Sequence, residues 1–312
     1  MNLDPKIQEK LFGFNNLFNH FVKLLENKKF PNKIMISGPK GIGKSTFAYH
    51  IINYIFSKNE KNSYDINEYK IQSENRSFNL IKNLSHPNFH LIDLLDGKKI
   101  IEISQVRETI TYSQKSSFND NYRIVLIDNI EYLNLHSSNA LLKIIEEPNE
   151  NLFFILIHND LKKIIKTLKS RCLVFKINLT FDQSINVTNS LLNENIYELL
   201  NKDLINFYFK PGDFIGLINF ASENKIKLHE YNLKNFLLLL INESHYKKNY
   251  FIKSNIFTLI ELYFLRILYS SQQKNEIFSF YNKFINKINY TNKFNLDYES
   301  LFMEFKSKVL NE

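Results

Sequence analysis

One cysteine, Cys172, stands in a chain of 312 residues, and there is no tryptophan. A single thiol excludes a disulfide framework and any multi-cysteine zinc site, and it suits a reducing compartment. No apolar run approaches the ~20 residues that a membrane helix needs; the longest is FLLLLI at 236–241. The amino-terminal stretch has no apolar signal segment, and Asp4 is acidic where such segments are basic. The expectation is a soluble cytoplasmic protein with no membrane partner.

Glycine and arginine are also scarce. Of seven glycines, three (Gly38, Gly41 and Gly43) fall within six residues. Five arginines, Arg76, Arg107, Arg123, Arg171 and Arg266, stand against 35 lysines. A chain that uses lysine wherever a point charge suffices raises the question of what each planar guanidinium is for. The net charge of +8 says less, because lysine is spread throughout with no dense basic block.

What is present is enough to bury a core, with 44% hydrophobic residues. The first half alternates short apolar runs with amphipathic stretches. KIMIS (33–37), FHLI (89–92), IVLI (124–127), LFFILI (152–157) and LVFKI (173–177) read as strands buried on both faces. Helices are expected at 45–57, 104–117, 137–147 and 161–169, with Ser137 or Ser138 capping the third of these. Residues 57–77 are polar and aperiodic, the pattern of a surface loop or a frayed helix extension. Such alternation predicts an α/β fold with a five-stranded parallel sheet covered by helices on both faces. Beyond about residue 178 only helical spacing continues, with Lys210-Pro211-Gly212-Asp213 as a turn. The expected division is 1–178, 179–230 and 231–312.

GPKGIGKS at 38–45 matches G-x-x-x-x-G-K-[ST] between a strand and a helix, the context that gives the motif meaning. Gly38, Gly41 and Gly43 allow backbone N–H groups to turn around phosphate oxygens. Lys44 can reach the β- and γ-phosphates, Ser45 can ligate magnesium if a nucleotide binds, and Thr46 continues the helix beside them. Asp128 ends RIVLID at the place for a second magnesium ligand. The following residue is Asn129, which cannot take a proton from water. Glu131 is an acid two positions further on, but its backbone position aims it elsewhere. His158 or Asn159, after LFFILI, can contact a γ-phosphate or form a plain strand-end turn. Arg171 in TLKSRC (167–172) is either an ordinary solvated arginine or a finger offered to a neighbour's nucleotide. Glu146 and Glu147 read as solvated.

Together FPNKIMISGPKGIGKSTFA (30–48), HPNFHLI (86–92), IEISQVRETI (101–110), YRIVLIDNIEYLNLHSSNALLKIIEEP (122–148) and LKSRC (168–172) carry a resemblance. They are similar to the clamp-loader branch of the AAA+ ATPases, and most to the delta-prime class of bacterial DNA polymerase III subunits. The resemblance covers about the first 180 residues. It implies ATP and magnesium as cofactors, with Gly38, Gly41, Gly43, Lys44, Ser45, Thr46, Asp128 and Asn159 around the nucleotide. It also implies that Arg171 acts in trans, on a turn held by Ser170 and Cys172. The three segments become an AAA+ domain, a helical lid and an all-α collar. The implied partners are the gamma/tau and delta subunits in a five-subunit ring, with the sliding clamp and primer-template DNA reached through the complex.

Three departures bear on that resemblance. The four zinc-binding cysteines of many relatives are missing, so no zinc is expected. The acid after Asp128 is missing. No lid arginine occurs around FKPGDFI (209–215). The last two weaken hydrolysis and leave Arg171 intact, which favours a stator-like subunit. An ATPase motor of the same ring and a free-standing P-loop or DNA-binding module are the alternatives.

Overall fold

The parallel sheet expected from the alternation forms in the order β2-β3-β4-β1-β5. Its strands are β1 (Lys33–Ser37), β2 (Phe89–Ile92), β3 (Arg123–Ile127), β4 (Leu152–His158) and β5 (Leu173–Lys176). The structure, a computed structural model, describes residues 2–95, 97–115, 122–149, 151–270, 272, 274–294 and 296–310. The chain folds as two units, Met1–Leu191 with Lys210–Gly212, and Leu192–Phe209 with Asp213–Glu312. The first unit thus runs past the boundary expected at 178.

Period-two alternation divides the strand side chains between two apolar layers. Ile34, Ile36, Ile124, Leu126, Ile155 and Ile157 face one side, where they meet Phe18, Phe21, Phe47 and Ile51. Met35, Val125, Ile127, Phe154 and Leu156 face the other, where they meet Val106, Leu141, Ile145 and Leu168. Helices α1 (Asn15–Glu26) and α2 (Lys44–Ser57) supply the first layer. Helices α4 (Ile103–Gln114), α5 (Leu135–Glu146) and α6 (Lys166–Ser170) supply the second. The edge strand β5 departs from expectation: Leu173 is 53% exposed, so this strand is not buried on both faces.

Other local expectations shift for identifiable reasons. Residues 57–77 are not merely a loop. Tyr64 and Ile71 are buried in the α1–α2 layer, Tyr64 stacks on Phe18 at 5.0 Å, and helix α3 (Arg76–Lys82) begins inside the segment. Asn75 caps α3, and Glu60 accepts hydrogen bonds from the Arg76 and Ser77 amides. Helix α5 starts at Leu135, capped by Asn134 rather than by either serine. Helix α4 ends at Gln114; the expected extension over 116–117 lies outside the described residues. The expected helix 161–169 is reduced to α6, because Asp160 is left-handed and the His158 ring Nε2–H donates to the Lys162 carbonyl at 2.9 Å. That ties 158–162 into a turn.

In the second unit, helices α8 (Ile196–Leu199) to α14 (Glu299–Phe305) enclose Phe214, Phe220, Phe236, Phe264, Phe284 and Phe305. Arg266 binds Asp203 and the Lys202 carbonyl, each at 3.0 Å, which gives one scarce arginine a structural use. Arg123 in β3 is another: its buried fork donates to the Tyr112 and Ser113 carbonyls. Pro211 opens helix α9 (Pro211–Glu223) and does not simply make a turn. A fixed φ and an absent N–H suit the first helical position.

Candidate nucleotide site

Ligands of open α/β sheets bind beyond the carboxyl ends of the strands, and that edge carries the site. A cavity of about 390 Å³ lies there, lined among others by Gly41, Gly43, Lys44, Ser45, Thr46, Asp93, Asp128, Asn129 and Asn159. All of its lining residues belong to the first unit.

The loop after β1 takes the shape its glycines permit. Gly41 and Gly43 have φ of 82° and 93°, a region that side chains disfavour. Gly43 caps α2, so the first N–H groups of a 14-residue helix open toward the loop, with the positive end of its dipole behind them. A Cβ on Gly38 would come within 2.1 Å of the Ile177 carbonyl. Gly212 closes the loop from outside: its N–H donates to the Gly41 carbonyl at 2.9 Å, and a Cβ there would lie 2.8 Å from the Gly41 Cα.

Lys44 is buried, and its ammonium donates to the Gly38 and Pro39 carbonyls at 2.9 and 2.6 Å. Burial pushes it down to about 8, against the pull of Asp128, Glu131 and Asp160. An anion in the loop would relieve that cost. The Ser45 hydroxyl donates to Asp128 Oδ2 at 2.5 Å. Burial, and then the charge of Asp93, push the Asp128 carboxyl up to about 6; the Ser45 and Asn129 hydrogen bonds and Lys44 oppose this. A hydroxyl and a carboxylate in contact beside an ammonium are hard oxygen donors of the kind magnesium takes. The residues present therefore fit a nucleoside triphosphate with its metal: Gly41, Gly43 and Lys44 for the phosphates, Ser45 and Asp128 for the ion. Among the described residues, no group of three or more His, Cys, Asp or Glu side chains is placed to hold a metal on its own.

Asn129 is left-handed, with φ of 56°, and lies inside a chain of amides and acids. Its Nδ2 donates to Asp93 Oδ1 at 2.7 Å, and its Oδ1 accepts from Asn159 Nδ2 at 2.8 Å. Asn159 also donates to both oxygens of buried Glu131, from Nδ2 at 3.0 Å and from its backbone N–H at 3.3 Å. Glu131 is thus occupied, and it does not line the cavity. His158 faces Ser37, at 3.0 Å, and not the cavity.

Sequence reasoning missed Asp93 and Glu146. A signal for Asp93 is present: Leu91-Ile92-Asp93 repeats Leu126-Ile127-Asp128, and β2 pairs with β3 in that register. Glu146, expected in solvent, holds Arg171 Nη2 at 2.6 Å, while Nη1 donates to the Thr167 carbonyl at 2.9 Å. Arg171 precedes β5, so it stands at the amino edge of the parallel sheet, opposite the cavity. Ser170 donates to Thr167 O at 3.0 Å, and Cys172 is 9% exposed against the core beneath.

The family model described as "DNA polymerase III, delta subunit" matches residues 13–180, more than half the chain. The chain is a clamp-loader subunit of the AAA+ family. Relatives of two kinds resemble the subunit. A DNA polymerase III subunit gamma from Buchnera aphidicola subsp. Schizaphis graminum is 32% identical over 58% of this chain and 47% of its own. A subunit delta' from the same organism is 27% identical over 58% of this chain and 54% of its own. The subunit thus spans about half the length of the relatives it matches. A solved gamma subunit-related protein from Thermotoga maritima, 16% identical, aligns over 92% of this chain and 97% of its own with a TM-score of 0.44. The matched region holds the entire sheet and both edges just described.

Proposed function

We propose that this clamp-loader subunit is of the delta-prime kind: it binds ATP with magnesium, turns it over slowly at most, and lends Arg171 to the nucleotide of a neighbouring subunit. The position of Arg171 carries the reading. Strands of four to seven residues at ~3.3 Å each separate it from the cavity by well over 10 Å. A guanidinium there is out of reach of its own nucleotide, yet it is partly exposed on the surface of the unit. Asn129 where an acid would be, and Glu131 tied to Asn159, support slow turnover.

On this reading Lys44 and the loop N–H groups hold the phosphates. Asn159, which lines the cavity, reaches the terminal one by exchanging its hydrogen bond to Asn129 Oδ1 for a phosphate oxygen while Glu131 keeps the other. A magnesium ion on Ser45 and Asp128 would offset phosphate charge. Arg171, delivered across an interface, would stabilise charge developing on the neighbour's γ-phosphate, a contribution of ~10³–10⁵ in rate for such fingers. The further partners are the gamma/tau and delta subunits in a five-membered ring, the sliding clamp and primed DNA. Residues 179–230 would serve as lid and 231–312 as collar.

The test is Arg171→Ala within the reconstituted ring. DNA-stimulated ATP turnover should collapse while assembly, followed by size-exclusion chromatography, is unchanged. Unaltered turnover would overturn the proposal. A second reading, an ATPase motor subunit, is favoured by the gamma relative's 32% identity over a stretch as long as the delta' match. It predicts rapid ATP turnover by the isolated chain that is lost in Lys44→Ala.

A further inference from the structure

Two adjacent strands end in Leu-Ile and are each followed by an aspartate that lines the cavity. Ile92 pairs with Ile127, so Asp93 and Asp128 leave the sheet side by side. Their environments differ. Asp128 has both oxygens engaged, Oδ2 by Ser45 and Oδ1 by the Asn129 N–H. Asp93 has one oxygen anchored twice: Oδ1 accepts from the Leu94 N–H at 2.6 Å and from Asn129 Nδ2 at 2.7 Å. Its Oδ2 has no hydrogen-bond partner among the described residues. The Asp93 carbonyl is also fixed, by Gln105 Nε2 at 2.8 Å, from the capping box that starts α4. The backbone and one carboxylate oxygen are therefore held from three directions while the other oxygen is left for the cavity.

Asn129 has the opposite arrangement. Its Oδ1 accepts from Asn159 and its Nδ2 donates to Asp93, so the amide is clamped between two neighbours. The acid and the amide form one hydrogen-bonded pair across β2 and β3. In a P-loop site the acid of such a pair is expected on the strand that carries Asp128; here it is on the other.

We propose that Asp93 is the water-orienting carboxylate of this site, acting in place of the acid absent at position 129. The inference rests on the reading of the cavity as an ATP site and accounts for the slow turnover allowed there. Oδ2 accepts a hydrogen bond from a water whose oxygen bonds to the γ-phosphorus. The bond from that phosphorus to the β–γ bridging oxygen breaks, ADP leaves with the electron pair, and both of the water's protons end on the inorganic phosphate formed. Glu131 cannot substitute, since both of its oxygens are directed at Asn159.

The experiment is single-turnover hydrolysis of γ-labelled ATP with magnesium by the full chain in excess. Its companion is the affinity for a fluorescent ATP analogue with and without magnesium. Wild-type hydrolysis should exceed that of Lys44→Ala, and Asp93→Asn should fall to the Lys44→Ala level, about 10²-fold at the low end for a positioned acid–base group. Magnesium-dependent binding in Asp93→Asn should stay within about twofold of wild type. The exchange variant Asp93→Asn/Asn129→Asp keeps one acid and one amide in the pair and should recover wild-type hydrolysis or more. Full hydrolysis in Asp93→Asn, no wild-type hydrolysis above Lys44→Ala, or loss of magnesium dependence in Asp93→Asn would each overturn the proposal. None of these outcomes bears on Arg171, whose test reads the neighbour's turnover in the ring.

Discussion

Asp128→Asn should make the ligand-free chain more stable at pH 8 and less stable near pH 3.5. Asp128 is 8% exposed, and burial, with Asp93 beside it, lifts its carboxyl from 3.8 to about 6. A carboxyl raised on folding holds its proton in the folded state after the unfolded chain has lost it. Stability therefore falls as pH rises from about 3.8 to about 6, and the deficit is constant above that window. At about 1.36 kcal/mol per pH unit the folded protein forgoes about 3 kcal/mol at pH 8. Asparagine removes the charge and with it that deficit. It also replaces one of two acceptor oxygens, which receive the Asn129 N–H and the Ser45 hydroxyl. The serine can rotate and accept from the new amide, so the loss is about 1 kcal/mol, one ordinary hydrogen bond.

The expected net effect is a gain of about 2 kcal/mol at pH 8 and a loss of about 1 kcal/mol near pH 3.5, with the curves crossing in between. Urea unfolding of the full chain at a series of pH values, read on the transition that ATP shifts, measures both. The same variant should lose magnesium-dependent tightening of nucleotide binding, because a hard carboxylate donor is gone. A variant destabilised equally at both pH values would refute the reasoning: Asp128 would then contribute through contacts that do not depend on its charge.

Three further perturbations have expected outcomes. Gly212→Ala puts a Cβ 2.8 Å from the Gly41 Cα, so the phosphate loop must shift, and ATP affinity measured by titration should drop at least about fivefold, the lower end of the ~1–3 kcal/mol of overpacking. Phe18→Ala removes a fully buried ring that packs on Tyr64, Tyr54 and Phe47 and should cost ~3–5 kcal/mol in urea unfolding of the first unit. Glu146→Gln breaks a half-exposed pair with Arg171 and should change stability by less than ~1 kcal/mol, leaving ATP affinity of the chain's own cavity unaltered.

The parts of this molecule legible in the sequence are those written in a single stretch of chain. Strands β1 to β4 could be placed because alternate residues must face two apolar layers, and the phosphate loop because three glycines, a lysine and a serine act together within eight positions. Features that depend on two distant stretches were not legible. Tyr64 and Ile71 bring 57–77 into the core through partners on α1 and α2, with no periodicity of their own. Glu146 read as solvated and Arg171 as either solvated or a finger, with no link between them; they meet only because α5 and α6 end at the same edge of the sheet. Asp93 lies between these cases, since its signal is a repeat 35 positions away that acquires meaning once β2 is known to pair with β3. Read one strand at a time, Asn129 is a missing acid. With the register in hand, the acid is the hydrogen-bonded neighbour of that same asparagine. A carboxylate absent from one strand therefore does not establish an inert site until the next strand in the sheet has been read beside it.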